Sequence, residues 1–184
     1  MKPRARFAGL LTCVSIALAG VTAGATASQA ASCPSAEVGG RAVGWIDVGE
    51  GRVPIKRTTY PVGGQFNPPP SHEVVGLSAR HQPLLADHGS TVLAWHVRYG
   101  KGCNGALNSI LGKPVGSTFS LTSTDGARRT FRITERQSVK RGNYRPEWFR
   151  TNGTPQMTLF TCSDLRNGSF QRTRVIVAEP VAAS

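Results

Sequence analysis

The feature that most constrains this chain is a period-two hydrophobic pattern broken at short intervals by turn residues. It is clearest in the middle of the sequence. Ser117–Ser123 alternates, Thr124-Asp125-Gly126 turns, and Arg129–Thr134 alternates again with Phe131 and Ile133 on one face. An Asp-Gly pair between alternating runs is a strong hairpin signal, because its residues tolerate the positive φ angles that a tight turn between twisted strands requires. No long amphipathic helix and no internal repeat interrupts this pattern. The chain is therefore expected to be all-β, a barrel or a sandwich of short strands. Pattern alone does not choose between the two.

Other strands are expected at Val43–Val48 and Val53–Tyr60, split by Gly49-Glu50-Gly51, and at Thr91–Ala94, which ends at Trp95-His96. Pro61 to Pro70 reads as a loop, since consecutive prolines from Pro68 cannot donate to a ladder. Val74–Leu77 reads as a brief helix or turn, and Ala106–Leu111 as a helical turn or two. Lys140 to Gly153 reads as an irregular polar loop anchored by Tyr144, Trp148 and Phe149. Gln156–Cys162 alternates like a half-buried strand and carries a cysteine where the pattern stops. Arg174–Ala178 is the last strand, closed by Pro180.

Residues 1–30 read as a signal peptide or N-terminal membrane anchor, 31–42 as a linker, and 43–182 as the folded domain. Lys2, Arg4 and Arg6 precede the apolar run Phe7–Val21, and Ala25-Thr26-Ala27 and Ser28-Gln29-Ala30 both fit a small-x-small cleavage site. Residues 7–27 are long enough to span a bilayer, although Gly, Thr and Ser dilute them, so membrane association through this segment stays open. The chain is expected to be exported, to the outer face of the membrane or the cell wall. Its formal net charge is +12, of which the leader carries three, leaving +9. Outside a membrane that charge suits anionic wall polymers and lipid head groups rather than nucleic acid.

The cysteines sharpen the reading. Cys13 belongs to the leader, so Cys33, Cys103 and Cys162 enter an oxidising compartment as an odd number. One of them stays free or bonds outside the molecule. Two strands then end in chemically capable side chains, His96 and Cys162, and a third begins with Arg172 and Arg174. A free thiol is only slightly ionised near neutral pH. A histidine shifts that balance and can protonate a leaving amine, and an arginine can stabilise a developing oxyanion. The bland alternatives stand beside this: a Cys162–Cys103 disulfide, a surface histidine, and arginines on the solvated face of an edge strand. No metal-ligand cluster with good spacing is visible, and no cofactor is implied.

The ordered motifs resemble the sortases, cysteine transpeptidases of Gram-positive surfaces. Thr158-Leu159-Phe160-Thr161-Cys162 is similar to the family's Thr-Leu-x-Thr-Cys signature, and Val92-Leu93-Ala94-Trp95-His96 to the strand bearing its histidine. Leu107–Gly116, Phe131–Glu135 and Arg174–Val181 resemble the segments that surround these, so the likeness covers roughly residues 43–182. The short barrel and single leading apolar segment are most like the actinobacterial class F group. The resemblance implies a single closed barrel of about eight strands with one or two short helices. It implies Cys162 as nucleophile, His96 as general acid/base and no metal. The partners would be exported proteins bearing a C-terminal Leu-Pro-x-Thr-Gly-like sorting signal and a peptidoglycan amine acceptor. Three departures stand out. Trp95 occupies a position usually held by a small residue. Cys33 and Cys103 are extra, which suggests a disulfide between them. Aligning Ala178 on the closing strand puts Thr173 where the family arginine usually stands, with Arg172 and Arg174 on either side; Arg174 is the expected oxyanion partner. The rival function is a non-catalytic basic β-domain, a degenerate sortase included, that binds anionic wall polymers.

Overall fold

The computed structural model describes Cys33 and residues 38–58, 67–99 and 102–182. The expected leader (1–30), most of the linker, and Tyr60 with the first part of the Pro61–Pro70 loop lie outside the described residues. Within them the strands are β1 (Ala42–Asp47), β2 (Arg52–Thr58), β3 (Val75–Ser78), β4 (Ser90–Trp95), β5 (Arg98–Tyr99), β6 (Cys103–Asn104), β7 (Thr118–Ser123), β8 (Arg128–Lys140), β9 (Gln156–Arg166) and β10 (Ser169–Pro180). Two short 3-10 helices span Asn108–Gly112 and Pro146–Phe149.

Eight of these strands close into a barrel in the order β1-β2-β3-β4-β9-β10-β8-β7, and β5 and β6 form a separate two-stranded ribbon. The choice that the alternating pattern left open is thus made in favour of the barrel. Neighbours pair antiparallel except at β2–β3 and β4–β9, which run parallel. The expected hairpin is present: Phe119 pairs with Phe131 and their rings stack at 5.8 Å across β7 and β8.

Inward-facing residues of every strand fill the barrel, among them Ile46, Ile55, Leu77, Leu93, Leu121, Ile133, Leu159 and Ile176. A second cluster covers the outside of β4, β9 and β10, where Val92, Ala94, Phe160, Val175 and Val177 pack under Trp148 of the second 3-10 helix. Strands buried on both faces read as continuous apolar runs, which is why Thr91–Ala94 shows no alternation.

Three expectations need correction. Val74–Leu77 is not a helix or turn, because Val75–Ser78 forms a fully buried strand between β2 and β4. β8 does not stop at Thr134 but continues to Lys140. β9 does not stop at Cys162 but runs on to Arg166, and a two-residue turn at Asn167-Gly168 leads straight into β10. Both turn residues have positive φ, 48° and 77°, the conformation that favours Asn-Gly in tight hairpins.

Candidate active site

The parallel pairing of β4 and β9 builds the site. Its last rung joins Trp95 to Thr161, and Thr161 Oγ1 donates to the Trp95 carbonyl at 2.8 Å. Cys162 is the next residue of β9, and His96 is the first residue after β4. Adjacent strands lie about 4.8 Å apart and side chains alternate between faces. By that alternation Cys162 shares the outer face of Phe160, and His96 follows β4 directly, one residue past the rung at Trp95. β9 outlasts its partner at this point, so Cys162 sits at the barrel rim although its strand does not end there.

His96 is half-buried, with its ring 5.2 Å from that of Tyr99. Burial pushes the imidazole pKa down, and a hydrogen bond with the Pro69 carbonyl opposes this in part. Cys162 is the free cysteine among the described residues and is also half-buried. Burial pushes its thiol up, and the Arg141 charge pulls in the other direction. In the resting site both groups thus favour their neutral forms.

Cys162 lies between two depressions. One, of about 60 Å³, is on the outer face, with Pro68, Ala94, Tyr144 and Phe160 as its apolar walls and Arg141 and Thr173 as polar ones. The other, of about 390 Å³, is lined by Val97, Asn104, Asn108, Leu111, Phe170 and Arg174 among others. The arginines divide accordingly. Arg174 lines the larger depression with Cys162, but its partners across the sheet are Thr161 and Ser138. Arg172 is exposed, and its guanidinium donates to the Ser138 hydroxyl at 2.9 Å and to the Ser138 carbonyl. The residue opposite Cys162 is Thr173.

The segment after His96 is held from several directions. Trp95 is fully buried inside the barrel, and its indole N–H donates to Asn108 Oδ1 at 3.1 Å. Asn108 in turn donates from Nδ2 to the Val97 carbonyl at 2.7 Å. The tryptophan thus points away from the outer face and braces the residues that flank His96. Gly105 passes so close that a Cβ there would lie 1.6 Å from the His96 carbonyl oxygen. Only glycine allows that approach. A Cys33–Cys103 disulfide, with a Cα–Cα separation of 5.6 Å, anchors the β5–β6 ribbon next to this contact. Beneath the larger depression, the Arg136 guanidinium donates to the carbonyls of Ile110, Leu111 and Lys113, occupying the end of the first 3-10 helix.

Sequence reasoning did not single out Asn108, Gly105 or Arg141. Asn108 and Gly105 leave no period-two signal, because the first opens a 3-10 helix and the second lies in irregular chain. Arg141 lies one residue past the end of β8, a strand read as ending earlier.

A family profile for the sortase domain matches residues 52–181, most of the chain. No curated protein is matched. Among solved structures, sortase A from Corynebacterium diphtheriae superposes with a TM-score of 0.61 at 14% identity, covering 78% of this chain and 62% of that one. Sortase C-1 from Actinomyces oris gives 0.61 at 18% identity, covering 77% and 73%. A complex of Streptococcus agalactiae sortase C1 with MTSET gives 0.60 at 12% identity, covering 78% and 71%. At such identities the structural likeness is one of fold, and the chain spans less than two thirds of the Corynebacterium protein's length. The matched domain and the closed eight-stranded barrel agree: the chain belongs to the sortase family.

Proposed function

We propose that this chain cleaves a Leu-Pro-x-Thr-Gly-like sorting signal between Thr and Gly and transfers the acyl part to an amine of the cell wall. The observation that supports this reading is that His96 and Cys162 each follow by one residue the last rung of β4 and β9, Trp95 to Thr161. His96 takes the thiol proton, and Cys162 Sγ attacks the Thr carbonyl carbon. The C–N bond to Gly breaks as His96 returns the proton to the leaving amine, which leaves a thioester on Cys162. An incoming amine then attacks the thioester, loses a proton to His96, and releases the thiolate as the new amide forms. The apolar walls of the outer depression suit the Leu and Pro side chains, and its closeness to the thiol puts the scissile carbonyl within reach. On the larger side, Arg174 is the candidate donor named by the sequence.

The second reading, a degenerate sortase that binds anionic wall polymers, draws support from Thr173, which stands opposite the thiol where the family's arginine is usual. Cleavage of a quenched Leu-Pro-x-Thr-Gly peptide separates the two. The transpeptidase reading expects turnover that is abolished in Cys162→Ala and reduced about 10²–10⁴-fold in His96→Ala. Equal turnover in all three proteins would sink it and favour the binding domain.

A further inference from the structure

A histidine that passes a proton in both directions needs one ring nitrogen held and the other left with its lone pair. In Ser-His-Asp triads a buried carboxylate does the holding and stabilises the imidazolium that forms. In this chain the His96 ring bonds instead to a main-chain acceptor, the carbonyl of Pro69. Pro69 lies in irregular chain. The packing around it therefore has to fix the direction of that carbonyl.

Pro69 is buried, and its carbonyl also accepts from the Ser71 N–H at 2.7 Å. Ser71 is 1% exposed, and its hydroxyl accepts from the Glu73 N–H at 3.1 Å. The next carbonyl, that of His72, accepts from the Ala106 N–H at 2.7 Å, beside the Gly105 that the His96 carbonyl approaches. From the other side the Pro69 ring rests on β3. Gly76 pairs with Ala94, and Ala94 with Phe160, so the three positions form one row on the outer face. A Cβ on Gly76 would lie 2.8 Å from Pro69 Cδ and 3.2 Å from its Cγ, with Thr58 Cγ2 at 3.0 Å. The pyrrolidine thus fills the place of the side chain that Gly76 lacks. Gly76 has no positive φ, so it is this close approach, not the backbone, that asks for glycine.

We propose that the Pro69 carbonyl is the orienting partner of His96, in the role a carboxylate has in a triad, and that Gly76 is the positioning residue that seats it. One ring nitrogen keeps its proton against Pro69. The other takes the thiol proton and returns it to the leaving amine. The carbonyl stabilises the imidazolium between those two steps while carrying no full charge of its own. The inference rests on His96 being the acid/base of the proposed reaction, and the test keeps the two ideas apart.

The experiment follows the His96 ring nitrogens by 15N NMR against pH in the full chain carrying Cys162→Ala, in which no thiol titrates beside the ring. The signals are assigned by their loss in His96→Gln. The same spectra are recorded with Gly76→Ala, Pro69→Ala and both together, and peptide cleavage is measured with Cys162 intact. The parent should show a single neutral tautomer. Gly76→Ala should show a mixture of both tautomers and a titration midpoint at lower pH, because the charged ring has lost its acceptor. Its kcat should fall about ten- to a hundredfold, with KM changing less. Adding Pro69→Ala to Gly76→Ala should restore the tautomer and midpoint of Pro69→Ala alone, since the new methyl then enters the space the pyrrolidine left. A parent that already samples both tautomers overturns the inference without any variant at position 76. So does a Gly76→Ala chain that loses thermal stability yet keeps the parent's tautomer and midpoint, or a double variant that recovers neither. Undiminished cleavage by His96→Ala would instead remove the acid/base reading, and the spectra would still report whether Pro69 holds the ring.

Discussion

The two sides of Cys162 are built by opposite means. On the outer face, aromatic packing makes the wall: Phe160 stacks on Phe149 at 5.2 Å and meets Trp148 and Tyr144 edge-on at 6.2 and 5.7 Å. On the larger side, hydrogen bonds and a covalent link do the work: Trp95 to Asn108 to Val97, Arg136 to the 3-10 helix carbonyls, and Cys33 to Cys103. The first kind of wall loses stability when it loses volume. The second loses geometry when one polar partner is removed, because the other is left buried and unpaired.

That contrast can be tested one side at a time. Phe160→Ala should have the largest effect on folding, about 3–5 kcal/mol, because it empties a site that is 7% exposed and removes two ring contacts with the second 3-10 helix. Denaturant unfolding checks this; a cost below about 1 kcal/mol would mean that the aromatic wall is not part of the core. Replacing Cys33 and Cys103 together with serine should cost about 3 kcal/mol, measured in the same way. Asn108→Ala should cost about 2 kcal/mol and lower kcat more than it raises KM, since it frees the Val97 carbonyl and the Trp95 indole beside His96. If kcat is untouched, the bracing of His96 is not catalytic. The smallest effect lies in pH dependence. Burial lowers the imidazole pKa and raises that of the thiol, so the acid limb of kcat/KM should fall below about 6.5 and the alkaline limb above about 8.5. Limbs at the ordinary values of both groups would mean that neither is shielded.

Much of this molecule is written locally. The β7–β8 hairpin follows from its Asp125-Gly126 turn, and the strands leading to His96 and Cys162 are legible from apolar runs that end in reactive side chains. The full length of β8 is masked in the sequence for a physical reason. Val177 pairs with Glu135 and Ala178 with Ile133, so Thr134 is an extra residue that shifts the alternation and hides the second half of the strand. The same shift masks Arg141, which follows the end of β8. The far end of β9 carries no apolar pattern because Ser163, Asp164 and Arg166 lie beyond the barrel, where no apolar face is needed; the Asn167-Gly168 turn is its one local sign. The pairing of β10 with its neighbours is the part that local pattern cannot supply. A one-residue slip there exchanges Thr173 for an arginine on the face of the nucleophile.

The β4–β9 seam also bears on how the thiol becomes reactive as the chain folds. Trp95 and Thr161 are 66 residues apart, and a parallel pairing cannot be made by a hairpin. Such a rung incurs its loop-closure entropy before it is rewarded, so it belongs to the slow, non-local part of assembly. Until it forms, Cys162 has no base held beside it, and its thiol lacks the burial that raises its pKa in the finished site. Acyl transfer then waits for the finished barrel, while a partly folded chain meets oxidants with a thiol that burial does not yet shield.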